Sequence, residues 1–104
     1  MPTDQTPNTP LFVNYIGCQC RVVKEHYEHG GGVCLRLVST EGEPIATATV
    51  NVPESNIPQD FVLIKNYSEN QGILEILAQA NIVTPTPIKV TVGYCQADLC
   101  QLNI

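Results

Sequence analysis

The chain has 104 residues, the usual size of one domain, with 43% hydrophobic and 14% charged residues, so an intrinsically disordered chain is excluded. Ten acidic residues against five basic ones give a formal net charge of −5, which disfavours binding to nucleic acid or to an anionic membrane. The small number of charged groups also favours association, so we expect a homo-oligomer or a host partner.

Residues 1–10 contain three of the eight prolines among polar residues, and this composition predicts a flexible N-terminal tail. The rest, residues 11–104, is predicted to form a single α+β domain. The sequence has neither a signal-peptide pattern nor an apolar stretch of about eighteen residues, so we expect a cytoplasmic protein in a bacterial host cell. Five cysteines, an odd number, are then expected to be free thiols in a reducing compartment.

The first half of the domain has the alternating and β-branched patterns of strands. Residues 11–23 predict one long bent strand or a short hairpin, with a glycine at the bend. Three glycines at 30–32 supply the positive φ angles of a hairpin loop. The alternation in residues 33–38 predicts a strand with one buried face, and the β-branched residues in 45–52 predict another strand that ends at Pro53.

One helix signal follows a short apolar strand at residues 61–64. Ser68 and Gln71 match a capping box, in which the serine side chain accepts from a backbone N–H and the glutamine side chain reaches back. Apolar residues then recur at helical spacing, which predicts a helix from Ser68 to about Gln79 with Asn81 as a left-handed cap. The remaining residues predict one or two closing strands.

These elements together predict an α+β fold. The expected architecture is a twisted antiparallel sheet of about five strands, curled toward a half-barrel in one alternative, with one helix packed on one face. Such two-layer packing buries the apolar stripe of the helix and one face of the sheet together.

Polar and basic groups collect around the predicted helix start. A helix N-terminus presents free N–H groups and the positive end of the helix dipole, so this cluster would bind a small anionic ligand such as a nucleotide. The alternative is that Ser68 and Gln71 already satisfy those donors and that Tyr67 packs on the sheet. A ligand pocket should join the cluster to Arg21 or Arg36. The candidate ligand-binding residues are Lys65, Asn66, Tyr67, Ser68 and Asn70.

Cysteines are the candidate metal ligands, although their spacing is not typical of a zinc site. Structural zinc sites use cysteine pairs about two to four residues apart on a turn, and buried thiols are the alternative. If the glycine loop closes a hairpin, Cys34 faces Tyr27, about 20 Å along the strand from Cys20, which argues against a shared site. We expect no cofactor. If a metal is bound, the ligands are predicted to be Cys18, Cys20, Cys95 and Cys100.

The sequence has no catalytic constellation that we can recognise. A nucleophilic cysteine needs a nearby histidine or helix N-terminus, whereas His26 and His29 lie in a charged segment that we expect at the solvated end of a hairpin. Glu41 and Glu43 flank a turn, where charged residues are common. The glycines at 30–32 do not open a helix, as a phosphate-binding loop would. We therefore expect no enzymatic activity.

Two stretches, residues 46–53 and 64–77, resemble a known family over nearly the whole domain. In this chain and in that family, a strand that ends in an Asn-x-Pro signature precedes a helix start with the sequence Tyr-Ser-Glu-Asn, here residues 67–70. These sequence motifs are similar to those of a family of small proteins of unknown function that are carried by phages and conjugative elements, often of gut bacteria. Asn66 and Gln71 stand where that family is expected to have acidic residues, and the cysteines of the first strand are outside its pattern.

The resemblance implies a biological context but no chemical activity. Small acidic proteins of mobile elements often act by binding a host component. The leading expectation is therefore a non-enzymatic phage or plasmid accessory protein that binds and inhibits or modulates a host component, with counter-defence as the implied role. The first alternative is a protein that sequesters a small ligand such as a nucleotide signal, and the second is a cysteine-rich zinc-binding module.

Overall fold

The computed structural model describes residues 11–52 and 57–104. The predicted tail, residues 1–10, and Pro53 lie outside the described residues, but the strand predicted over residues 45–52 is shorter than expected, because it ends at Thr47. The elements, in chain order, are β1 (Phe12–Tyr15), β2 (Cys18–His26), β3 (Val33–Ser39), β4 (Pro44–Thr47), β5 (Phe61–Ile64), a 3-10 turn (Ser68–Asn70), α1 (Ile73–Gln79), β6 (Val83–Val92) and β7 (Cys95–Leu102).

The strands form two antiparallel sheets, in the orders β1-β2-β3-β4 and β5-β7-β6. The predicted α+β class, with antiparallel strands and one helical segment, is confirmed, but the described strands number seven and divide between two sheets. The additional strands arise at tight turns. Ile16 and Gly17 have φ angles of 47° and 76° and separate β1 from β2, while Gly93 has a φ of 61° and separates β6 from β7. For residues 11–23 the hairpin alternative is therefore correct.

The segment that follows β4 connects the two sheets. The N–H of Ala48 donates to the carbonyl of Leu35 in β3 (2.8 Å), and the N–H of Lys65, just after β5, donates to the carbonyl of Ala48 (2.7 Å). Thr49 also forms a bridge with Ile64. Strands β1 and β6 remain as the outer edges, and α1 packs against both of them. The helix therefore covers the opening between the two sheets.

The main core lies between the two sheets and the helix. Its buried side chains come from all the strands except β4, from α1 and from two connections, so one apolar cluster holds the domain together. A smaller cluster of Leu63, Ala97 and Leu99 lies on the opposite face of the three-stranded sheet. The main core consists of Val13, Tyr15, Cys20, Val22, Leu35, Leu37, Ala48, Val62, Ile64, Ile73, Leu77, Ile82, Val83 and Cys100.

The end of α1 has the left-handed cap that the sequence predicts. Asn81 has a φ of 61°, and its N–H donates to the carbonyl of Ala78 (3.0 Å). The N–H of Ile82 donates to the carbonyl of Leu77 (3.0 Å), which completes a Schellman motif and directs the chain into β6. Within the described residues, no helix has both the length and the apolar character needed to cross a membrane.

Candidate functional site

The predicted ligand cluster lies between the end of β5 and the start of α1, and its lysine is engaged within the chain. Lys65 Nζ lies 2.8 Å from Glu69 Oε2 and 5.9 Å from the centre of the Tyr67 ring. The hydrogen bond to Glu69 raises the pKa of Lys65, and the same bond lowers the pKa of Glu69. An anionic ligand would therefore have to compete with the carboxylate of Glu69 for this ammonium group.

Asn66 caps the helix in place of the predicted capping box. Its Oδ1 accepts hydrogen bonds from the N–H groups of Gly72 (3.0 Å) and Leu74 (3.1 Å), two of the free donors at the start of α1. Ser68 is exposed, has a φ of 55°, and starts a 3-10 turn without a side-chain cap bond. The capping box of Ser68 and Gln71 was therefore a wrong prediction, because the α-helix begins at Ile73, beyond the reach of both side chains.

Asn70 is buried and holds the 3-10 turn against the first sheet. Only 2% of this residue is exposed, and its Nδ2 donates to the carbonyl of Thr47 at the end of β4 (2.7 Å). On the other side of the turn, the Tyr15 hydroxyl donates to the carbonyl of Glu69 (3.0 Å). The structure thus gives Asn66 and Asn70 positions in which they hold the backbone. The assignment of a ligand to this cluster stays a prediction.

The predicted ligand cluster lies outside two cavities of the described structure. A cleft of about 570 Å³ lies at the end of the β2–β3 hairpin, and none of the five predicted ligand-binding residues lines it. A more open depression of about 380 Å³ is lined by Arg21 but not by Arg36 or by the cluster. These two cavities therefore do not provide the predicted pocket that joins Lys65 to an arginine.

The five cysteines are free thiols, and two of the predicted metal ligands are neighbours, with Cys20 Sγ 3.5 Å from the carbonyl oxygen of Cys18. Cys20 and Cys100 are buried in the main core, and burial raises the pKa of each to about 11. Cys18 and Cys95 are half-buried, at the first positions of β2 and β7. Among the described residues, no group of three or more cysteine, histidine or acidic side chains could hold a metal ion. The zinc-module alternative thus has no assembled ligand set in this part of the chain.

The β2–β3 register pairs Cys34 with Glu25, two residues from Tyr27 and within the region that the hairpin prediction gave. Cys34 lies close enough to Tyr27 to raise the pKa of that side chain, and the Tyr27 hydroxyl lies 2.8 Å from Thr49 Oγ1. Thr49 Oγ1 also accepts from the N–H of Leu35 (3.2 Å), so this network joins the end of the hairpin to the bridge between the sheets. Burial is the main reason why the pKa of Tyr27 is raised to about 12.

The four-stranded sheet has one face that does not contribute to the main core. Because Phe12 pairs with Arg21 and Arg21 pairs with Val38, their side chains form a row across β1, β2 and β3. Val23 and Arg36 pair in a second row. We call this surface the outer face, and we define it by Phe12, Arg21, Val23, Arg36 and Val38.

A single basic group on the outer face is left without a partner. Arg36 Nε lies 3.4 Å from Glu25 Oε1, whereas Arg21 has no hydrogen-bond or ion-pair partner among the described residues. Phe12, beside Arg21, is 46% exposed. Both residues line the depression of about 380 Å³, together with Glu41 and other residues near the β3–β4 turn. The five N–H donors of the Arg21 guanidinium are therefore available to an external acceptor.

Sequence reasoning did not single out this pair of residues. Phe12 and Arg21 are nine positions apart, and only the register of the β1–β2 hairpin brings them together. The alternation of exposed Phe12 and Asn14 with buried Val13 and Tyr15 was the available signal, because it indicates a strand with one free face.

No protein-family model, no curated protein and no solved structure matches the chain. The fold described above therefore defines only an α+β domain of two linked antiparallel sheets. The similarity of residues 46–53 and 64–77 to the phage and conjugative-element family stays a prediction.

Proposed function

We propose that the chain is a non-enzymatic binding protein that attaches to a host protein through its outer face. The observation that carries this proposal is the guanidinium of Arg21, which has no partner within residues 11–52 and 57–104, beside the half-exposed ring of Phe12. Arginine and aromatic residues, phenylalanine included, are enriched in protein interfaces relative to the rest of the surface. The same combination has no role in the packing of the main core, because neither residue belongs to that cluster.

The chemistry of this surface defines the partner. A guanidinium binds a carboxylate with two parallel hydrogen bonds, and a half-exposed phenyl ring gains free energy when an apolar side chain covers it. The partner is therefore a protein segment with one acidic side chain next to apolar ones. A strongly acidic segment is excluded, because the net charge of −5 repels it at long range.

The biological role that we attach to this activity is stoichiometric inhibition or modulation of the bound host protein. The resemblance to proteins of phages and conjugative elements supports such a role, and counter-defence is the form that the resemblance implies. A protein that binds by a surface patch needs no enclosed polar site. The exposed position of Phe12 and Arg21 agrees with that requirement.

The test is affinity capture from lysate of a gut bacterium, with the captured proteins quantified by mass spectrometry. The full chain is compared with its Phe12→Ala and Arg21→Ala variants, and Lys65→Ala is the matched control because it removes a basic group outside the outer face. We expect one protein in a molar ratio near one to one, reduced about tenfold or more by each outer-face substitution and unchanged by the control.

Two results would contradict the proposal. If the Phe12→Ala and Arg21→Ala variants retain the partner at the original level, the outer face is not the binding surface. If Lys65→Ala releases the partner instead, the predicted cluster at the helix start is responsible. Circular dichroism and thermal unfolding of each variant establish that a lost partner does not reflect a lost fold.

A further inference from the structure

A second concave surface lies at the end of the β2–β3 hairpin, on the opposite side of β2 from Arg21. It is the cleft of about 570 Å³, which we call the hairpin cleft. One wall consists of Lys24, His26 and the glycines at 30–32, and Phe61 and Leu102 contribute to the opposite side. Its volume is within the range of roughly 300–1,000 Å³ that small-molecule sites occupy.

The inner face of β2 changes from apolar to basic at this cleft. Cys20 and Val22 are buried in the main core, whereas Lys24 and His26, at the next two positions of the same face, are exposed. This change places two basic side chains at the rim of the core, in a chain that has only five lysines and arginines. Because alternate residues of a strand share a face, both side chains point toward the same cavity.

The glycine loop gives the wall a bare backbone. A side chain at Gly31 or Gly32 would meet no atom within 4 Å, so the main chain at these positions is open to a ligand. Gly31 has a φ of 73°, which residues with a side chain rarely adopt. A ligand can therefore approach the peptide groups of this loop more closely than it could approach an ordinary hairpin.

Apolar side chains also line the cleft. Ile57 and Phe61 are half-buried there, and Phe61 packs against the small cluster around Leu63. Asp60 also lines the cleft, so the one ammonium group of the lining, that of Lys24, faces one carboxylate. This balance favours a ligand with a single negative charge over one with several.

We propose that the hairpin cleft binds a small organic monoanion, with its acidic group at Lys24 and His26 and its apolar body against Phe61. Lys24 Nζ already donates one hydrogen bond to the main-chain oxygen of Ile104 (3.0 Å). That bond holds the ammonium group at the cleft and leaves two of its three donors for a ligand. The glycine wall admits the flat side of an aromatic body.

This site is independent of the outer face, because Lys24 and Arg21 lie on opposite faces of β2. A ligand in the hairpin cleft and a protein on the outer face would therefore not compete for the same atoms. Failure of one proposal leaves the other unaffected.

The probe for the test is 8-anilino-1-naphthalenesulfonate, an aromatic monoanion whose fluorescence rises in apolar surroundings. The full chain is titrated alongside the Lys24→Ala/His26→Ala double variant. Lys89→Gln is the matched control, because it removes a basic group outside the cleft and keeps a hydrogen-bond donor for Asp98. We expect saturable binding of one probe, weakened about tenfold or more in the double variant, unchanged in the control and weaker at high salt. The uncharged analogue N-phenyl-1-naphthylamine should bind the double variant and the original chain equally.

Amide chemical shifts supply a second readout that does not depend on a variant. On addition of the same probe, we expect the amides of Gly31, Gly32 and Phe61 to shift most in a nitrogen–proton correlation spectrum. The proposal is overturned if the largest shifts map to the outer face or to the helix. It is equally overturned if the double variant binds the sulfonate as tightly as the original chain does.

Discussion

The two faces of the four-stranded sheet differ in what determines their residues. On the inner face, Cys20, Leu35 and Leu37 are fully buried, and their neighbours in the core leave no room for other side chains. On the outer face, Phe12 is 46% exposed and Arg21 has no partner among the described residues. Packing therefore explains the inner face but not the outer one. The proposed binding role accounts for an aromatic ring and a guanidinium at positions where packing does not require them.

One residue of the outer side does not follow this division. Cys34 is only 6% exposed, and it lies close enough to Tyr27 to raise the pKa of that side chain. The contact between the Tyr27 hydroxyl and Thr49 extends this packed region toward the second sheet. The outer side of the sheet is therefore packed against other side chains near the glycine loop and exposed near Phe12. This difference agrees with the proposed partner surface at the exposed end.

The largest expected difference between the faces is in stability. Leu37→Ala should lower the free energy of unfolding by about 2–5 kcal/mol, because it removes a fully buried side chain and leaves a cavity. Phe12→Ala should cost less than about 1 kcal/mol, because the ring is already half in water. Urea unfolding followed by circular dichroism measures both. Equal losses for the two variants would mean that Phe12 is part of the packing, and the argument for an interface would fail.

A smaller difference is expected between two asparagines. Asn70→Ala should cost about 1–3 kcal/mol, because it removes a buried amide that donates to the carbonyl of Thr47 and leaves that acceptor unpaired. Asn14, on the exposed side of β1, is the matched control, and Asn14→Ala should change the stability by less than about 0.5 kcal/mol. The same urea titration tests both. If Asn70→Ala is neutral, the buried amide is dispensable, and a ligand role for the cluster gains support.

The sequence was sufficient for the strand faces because periodicity reports burial directly. The alternation in residues 33–38 correctly separates buried Leu35 and Leu37 from exposed Arg36. The sequence did not decide between a bent strand and a hairpin at residues 11–23. The turn depends on a positive φ at Ile16, and a β-branched residue rarely adopts that conformation, so its type gives no signal.

The residues of the candidate sites were harder to predict because their arrangement depends on long-range contacts. A cluster of amides at a helix start can bind a ligand or cap the helix, and the sequence alone left both possibilities open. The cap becomes evident only when Asn66 is seen to bond with Gly72 and Leu74, six and eight residues further on. The row of Phe12 and Arg21 likewise requires the register of two strands, which the alternation pattern does not specify.

The smallest perturbation is chemical labelling of the thiols. It compares the reaction rate of a cysteine in the middle of the inner face with that of a cysteine at its end. Cys20 and Cys18 lie two residues apart on that face, but Cys20 is fully buried and Cys18 is half-buried. Iodoacetamide reacts with the thiolate, and with the pKa of Cys20 raised to about 11, roughly a thousandth of it is ionised at pH 8. We expect Cys18 and Cys95 to be labelled first. Peptide mass spectrometry over time measures each site.

Cys100 gives this labelling experiment its internal standard, because it is equally buried in the main core and its pKa is also raised to about 11. Cys20 and Cys100 should react slowly and at similar rates, and both rates should rise as the pH approaches 11 because the thiolate fraction increases. If Cys20 reacts as fast as Cys18 while Cys100 stays protected, the β1–β2 hairpin opens independently of the rest of the core. The inner face would then be closed only over β3, and the register that brings Phe12 to Arg21 would be transient.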